Sequence, residues 1–294
     1  MLLAVLLASC GSLSSGCSAT CNPDERFHPG VVRFAERHVE AVAAGGGAGI
    51  RYRDGRLMGN REASDYVSTL AQPADIMATT NRGTLVGRLI PGYFTHSAAY
   101  LGTEGQLRAL GVWQHPTIKP LHSDIAAGKV VIHANQEGVH LAKLADVLDT
   151  DRVLLARPGG EHGLSRQLRR ESVISLASRV GMPFDFHFDA TTPDELFCVE
   201  LIQRSMPTIR LDVETIYGRP TIKPVAIAEA VFKVDSNLSF VSYLKGTKGG
   251  FHGVSKEDLQ RELAEAEAKD MERAGCGGTA TAAPADRKVA RAAG

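Results

Sequence analysis

A handful of short apolar runs, each halted by glycine or proline, sets the strongest limit on what this chain can become. The clearest is His96-Ser97-Ala98-Ala99-Tyr100-Leu101, which follows the Pro91-Gly92 turn, contains no Asp, Glu, Lys or Arg and ends at Gly102. So short and uncharged a run suits a strand covered on both faces. The stretches 74–78 after Pro73, 129–134, and 152–157 before Pro158-Gly159-Gly160 read as further strands, and Gly138-Val139-His140-Leu141 suits a strand beside 129–134. The frame is therefore a sheet.

Helical spacing surrounds these runs. Val32, Ala35, Val39 and Val42 predict a helix over 31–44, stopped by Gly45-Gly46-Gly47, and Ala63, Tyr66 and Leu70 predict another over 60–70. Together they form an N-terminal helical layer. Pro116 and Pro120 break any long element in 103–128, which is taken as an excursion between strands; its Trp113 suits core packing or a rim contact. A brief helix is expected over 142–148. A long amphipathic helix over 164–180 follows, with Gly181 at the usual C-cap place. Its Arg166, Arg169, Arg170 and Arg179 fit a solvated face or, alternatively, an anionic ligand. Residues 225–234 fit helix or strand equally. From Ser255 a charged helix begins, with Glu257 four residues before Arg261, and disorder is expected beyond 273.

Cys198 is the one cysteine of the globular body. It lies in Leu196-Phe197-Cys198-Val199-Glu200-Leu201-Ile202, where Phe197 with Leu201, Cys198 with Ile202 and Ile202 with Met206 share helical faces until Pro207 stops the helix. Two starts are open. Thr192-Pro193-Asp194-Glu195 reads as a capping box and would place Cys198 in the second turn; if 191–196 is a turn, Cys198 falls in the first, where unpaired N–H groups favour a thiolate. Cys198 is accordingly a candidate nucleophile or a small hydrophobe filling the core.

Lys plus Arg and Asp plus Glu number 33 each, which argues against a nucleic-acid-binding surface. The ten histidines are scattered without HExxH, and no CxxC occurs, so neither a metal nor a cofactor is expected. The N-terminus, an apolar run too short to span a bilayer and ending in Leu7-Ala8-Ser9-Cys10, resembles a bacterial lipoprotein signal without the usual preceding Lys or Arg. That resemblance implies export, lipidation of Cys10 and a Ser/Gly-rich tether holding a soluble domain at the membrane of the bacterial cell envelope. Cys17 and Cys21 are close enough in sequence to pair there.

The ordered segments Ala74-Asp75-Ile76, Phe94-Thr95-His96-Ser97-Ala98-Ala99-Tyr100-Leu101-Gly102, Val131-Ile132-His133-Ala134 with Gly138-Val139, Gly181-Met182-Pro183-Phe184-Asp185-Phe186, and Phe197-Cys198-Val199-Glu200-Leu201 resemble the permuted papain-like amidases of the YaeF/YiiX type. These belong to the circularly permuted branch of the NlpC-type cysteine hydrolases. The resemblance spans roughly 70–245 and implies an α+β fold, a mostly antiparallel sheet or small barrel packed against helices. Carried over, the nucleophile falls on Cys198, the base on His96 and the third, orienting group on His133, where many relatives carry an acidic residue. Asn135 and Glu137 are the nearby substitutes. Ala74 stands where a glycine is common before Asp-Ile.

In such a site His96 takes the thiol proton, thiolate and imidazolium stabilise each other, and Cys198 forms a thioester that water or an acceptor resolves. The Cys198 N–H is the expected oxyanion donor. Asp75 is assigned to its strand start and Asp185 to ordering a loop or capping the turn after Pro183. The chain divides into a signal and tether (1–22), a helical layer (23–70), a catalytic domain (71–250) and a charged helix with a tail (251–294). The expectation is an exported cysteine hydrolase acting on an amide or ester of a peptide or lipid-linked envelope substrate. An acyltransferase using the same thioester and a non-catalytic envelope-binding lipoprotein are the alternatives.

Overall fold

The computed structural model describes residues 50–276 and scattered positions between 22 and 38. The Cys10 box, Cys17, Cys21 and the tail beyond 276 lie outside the described residues, as does most of the helix expected over 31–44. Among the described residues no helix is long and apolar enough to cross a membrane.

In chain order the structure runs α1 (Arg61–Leu70), β1 (Ile76–Thr80), α2 (Leu85–Leu89), β2 (His96–Tyr100), α3 (Glu104–Leu110), α4 (His122–Ala126), β3 (Lys129–Asn135), β4 (Gly138–Lys143), α5 (Leu144–Val147), β5 (Arg152–Pro158), α6 (Arg166–Ala177), α7 (Cys198–Ser205), β6 (Glu214–Ile216), β7 (Arg219–Thr221), α8 (Val225–Ala230), β8 (Leu238–Thr247), β9 (Gly250–Val254) and α9 (Lys256–Arg273). Seven strands form one antiparallel sheet in the order β4-β3-β2-β1-β5-β8-β9, while β6 and β7 make a separate ribbon. The sheet is open, with β4 and β9 as its edges, so the barrel alternative does not hold.

Alternation along the strands sends side chains to two cores. Ala99 and Leu101 of the β2 run, with Ile132 and Ala134 of β3, face a large cluster that includes Leu107, Val173, Leu176, Leu201 and Ile227 from the helices. Ala98, Tyr100 and Val131 face a smaller cluster with Ala63, Val67, Leu144 and Val147. Being covered on both sides explains why the strands carry so few charges, and each fully buried Leu, Ile or Val contributes about 2 kcal/mol.

Some expectations are filled in and others corrected. The stretch 103–128 is an excursion between β2 and β3 with no long element, as expected, and carries two short helices, α3 and α4; Thr103 and Gln106 build a capping box on α3, and the prolines fall between the helices. Residues 225–230 are helical. Arg166 stays on the exposed face of α6, as a solvated face requires, and donates to Ala109 O, while the other arginines reach neighbouring segments. Arg169 donates to Pro73 O, Arg170 to Leu110 O and Gly111 O, and Arg179 to Ser205 Oγ and Arg204 O, stapling the helix to neighbouring backbone. Helix α6 ends at Ala177 with Ser178 as its C-cap, before Gly181, whose N–H donates to Val139 O. Arg261 pairs with Asp258, one residue nearer than the expected Glu257. Glu262 of α9 accepts from Tyr93, from Tyr243 at 3.1 Å and from Lys245, which pins this helix to the sheet.

Two features at the start of β1 match their sequence positions. Ala74 holds a left-handed φ of 73°, a conformation in which glycine is at ease, so the usual glycine there has a steric reason. Asp75 is fully buried; it accepts from Gln72 N–H and makes a two-pronged ion pair with Arg157 at 2.7 and 2.9 Å.

Candidate active site

Cys198 is the first residue of α7, so the turn alternative for 191–196 describes the chain and the capping box does not. Phe197, at the N-cap, has no side-chain acceptor, and the cap is supplied from the third helical residue: Glu200 Oε2 accepts the Phe197 N–H at 3.4 Å. Val199, Leu201 and Ile202 are fully buried against the sheet, which fixes the axis of the helix and hence the position of the sulfur.

Cys198 is only 4% exposed. Burial pushes its thiol up, while the Ser97 hydroxyl and the backbone N–H groups of Ser97, Val199 and Cys198 pull it part of the way back. Desolvation wins. The helix start therefore does not yield a resting thiolate, contrary to the expectation drawn from its partial positive charge. The Ser97 hydroxyl is itself buried and has no partner of proper hydrogen-bond geometry, so it is free to face the sulfur.

His96 opens β2, one residue from the strand position that meets the thiol. Its Nε2 is 2.9 Å from His133 Nδ1, and His133 Nε2 is 3.0 Å from His140 Nε2. The His96 and His133 rings meet edge to face, as do His133 and His140. Burial and the charge of His140 hold His96 down to about 4, and burial with the charges of both neighbours holds His133 to about 2. With the thiol raised and the imidazole lowered, both groups are neutral at rest, which differs from the expected thiolate–imidazolium pair.

The structure thus brings His96 and His133 together and seats Cys198 against Ser97, but no hydrogen bond joins the sulfur to the His96 ring. Strand alternation supplies the reason: Ser97 points to the face that carries α7, and His96 leaves the strand on the side of Ala98. The substitutes do not reach His96. Asn135 Oδ1 accepts from Glu137 N–H, and Glu137 is an exposed turn residue 3.9 Å from His140. Asp185, fully buried, accepts from His187 and Asp189 N–H at 2.7 Å each and so orders the loop before α7. Trp113 is buried in the core and stacks on His122.

Sequence reasoning missed His140 and Glu200. A signal for His140 existed: the β3–β4 hairpin pairs Asn135 with Gly138, and that register sets His140 opposite His133. Among the described residues no group of three or more His, Cys, Asp or Glu is arranged to hold a metal ion. The three imidazoles aim their nitrogens at one another, not at a common point.

A family model described as permuted papain-like amidase enzyme, YaeF/YiiX, C92 family, matches residues 71–239. Among solved structures, that of metalloprotein yiiX from Escherichia coli O157:H7 (DUF1105) is similar at 15% identity, covering 58% of this chain and 97% of that chain with a TM-score of 0.41. None of the curated proteins matches the chain.

Proposed function

Since the chain belongs to the C92 family of permuted papain-like amidases of the YaeF/YiiX type, we propose that it is an exported cysteine hydrolase that cleaves an amide or ester bond of a cell-envelope substrate through a thioester on Cys198. The substrate class is a peptide or an acylated lipid, and Cys10 is the lipid attachment point that keeps the enzyme at the envelope. The observation that carries the catalytic part is the position of Cys198: first residue of a buried helix, its sulfur against Ser97, with His96 next along the strand and held through Nε2 by His133.

The resting pair is neutral, so proton transfer accompanies attack. The thiol gives its proton to His96 Nδ1 as sulfur bonds to the substrate carbonyl carbon, and the carbonyl π electrons move to oxygen. The Cys198 N–H, without an intrahelical acceptor at the helix start, stabilises that oxyanion. Collapse breaks the bond to the leaving amine or alcohol, which takes the proton from His96 and leaves a thioester. Water then gives a proton to His96 and attacks the thioester, and the thiolate leaves and is reprotonated. His96 opens β2 and leaves it on the side of Ala98, so the proposal includes a movement of its ring around the strand start towards the sulfur as substrate binds.

Alkylation of the full chain tests this. Cys198 should react with a peptidyl electrophile far faster than free thiol, and His96→Ala should abolish the excess. A rate in the wild type no greater than that of free thiol refutes the enzyme and leaves a binding lipoprotein. Product analysis with and without an added amine or alcohol separates hydrolysis from acyl transfer, and recovery of Cys10→Ala from the soluble fraction, with the wild type in membranes, tests the anchor.

A further inference from the structure

Three imidazoles on adjacent strands form a line that ends on a backbone carbonyl. His140 Nδ1 lies 3.1 Å from Gly138 O. A carbonyl only accepts, so His140 Nδ1 carries a hydrogen. In neutral His140 the other nitrogen, Nε2, is then bare and can only accept, so His133 donates from Nε2. His133 Nδ1 is bare in turn, so His96 donates from its own Nε2, and His96 Nδ1 is left with its lone pair. One carbonyl thereby settles three tautomers. Its own orientation is fixed by glycine: Gly138 has φ +88°, and a Cβ there would lie 2.5 Å from Met182 O.

We propose that His140 is a positioning residue, anchored on the Gly138 carbonyl, that sets the tautomers of His133 and His96 so that His96 Nδ1 is the nitrogen free to take the thiol proton. This rests on Cys198 and His96 being nucleophile and base. The same line tells where the positive charge goes. When His96 Nδ1 gains the thiol proton, the His96 Nε2 hydrogen passes to His133 Nδ1 and the His133 Nε2 hydrogen passes to His140 Nε2. Each nitrogen pair breaks one N–H bond and forms another, and the charge ends on His140. The groups facing His140 are His133 from β3 and Glu137 from the turn, its Oε2 3.9 Å from His140 Nε2, and the His140 side chain is 30% exposed. Charge is better solvated there than on His96 or His133, deeper in the protein.

Long-range proton–nitrogen NMR of the full chain labelled with nitrogen-15 histidine reads the tautomers directly. At pH 8 the wild type should show His140 protonated at Nδ1, and His133 and His96 at Nε2. His140→Phe should release His133 and His96 into tautomer mixtures and slow Cys198 alkylation about tenfold or more, as expected where part of the base holds its proton on the wrong nitrogen. His140→Gln, whose amide oxygen accepts from His133 Nε2, should restore the wild-type tautomers and most of the rate. A wild-type His140 bare at Nδ1, or a His96 tautomer unmoved in His140→Phe, overturns the assignment. The two premises separate: expected tautomers with slow wild-type alkylation refute the catalytic role of Cys198 and, with it, the catalytic use of the line, while fast alkylation with wrong tautomers refutes His140 alone.

Discussion

Glu200 offers the sharpest quantitative test of how the nucleophile helix is held. Its carboxyl is 1% exposed, and the Arg204 guanidinium, 2.5 Å from Oε1, meets it without proper hydrogen-bond geometry. Burial therefore outweighs the arginine and raises the carboxyl from its ordinary 4.5 to about 7. A group held higher in the folded state binds its proton more tightly there than in the unfolded chain. Its stabilising contribution is complete below pH 4.5 and is lost as the pH rises towards 7, a change of about 3 kcal/mol. In Glu200→Gln nothing titrates at this position. Arg204 keeps its bonds to the carbonyls of Ala190, Thr192 and Pro193 and is not stranded. Urea unfolding of both proteins, followed by the lone tryptophan, Trp113, should show the wild type losing about 3 kcal/mol relative to the variant between pH 4.5 and 7.5. Taking the difference cancels every other titrating group the two proteins share. A difference that stays flat across this range would mean that Arg204 fully compensates Glu200, and the account of the helix start would be wrong.

Ser97→Ala removes the hydroxyl that pulls the thiol down; alkylation at pH 8 should slow by about fivefold, worth about 1 kcal/mol, with urea unfolding barely changed because this hydroxyl has no other partner. An unchanged rate would place the sulfur elsewhere. Gly138→Ala sets a Cβ 2.5 Å from Met182 O at a positive φ, and should cost about 3 kcal/mol in urea unfolding; a loss below about 1 kcal/mol would mean that the hairpin is not seated as described. In NMR titration from pH 8 to 5, His133 should stay uncharged and His96 should not become a cation, because burial and neighbouring charge hold them to about 2 and about 4. Two charged rings among His96, His133 and His140 at pH 5 would contradict the hydrogen-bonded line.

Much of the sheet was legible because its strands are buried on both faces, and burial writes itself into local composition. β2 appears as the uncharged run from His96, and β3, β4 and β5 fall where β-branched and apolar residues cluster between turns. Asn60, the expected first residue of its helix, proves to be its N-cap, and Ser255 caps the helix expected to start there. The stretch 103–128 was legible as an excursion without a long element, but the two short helices its prolines separate were not, because they are held by packing of Leu107, Leu110 and Ile125 rather than by extended periodicity. The partners of Arg169 and Arg170 were not legible for a different reason: they are backbone carbonyls some 60 to 100 positions away, which no periodicity reveals.

By itself the sequence determined the residue types and their order: a histidine at a strand start, a second histidine on the next strand, and a cysteine at a helix start. Those follow from short-range pattern, since propensity, capping and apolar spacing act over a turn or a pleat. Tertiary structure alone decided the protonation of these groups and their partners. A helix start favours thiolate, yet packing α7 into the core removed the water that would solvate the charge, and the thiol rose instead. Likewise the tautomer of His96 is set two strands away by the Gly138 carbonyl, through a register that exists only once the hairpin has closed.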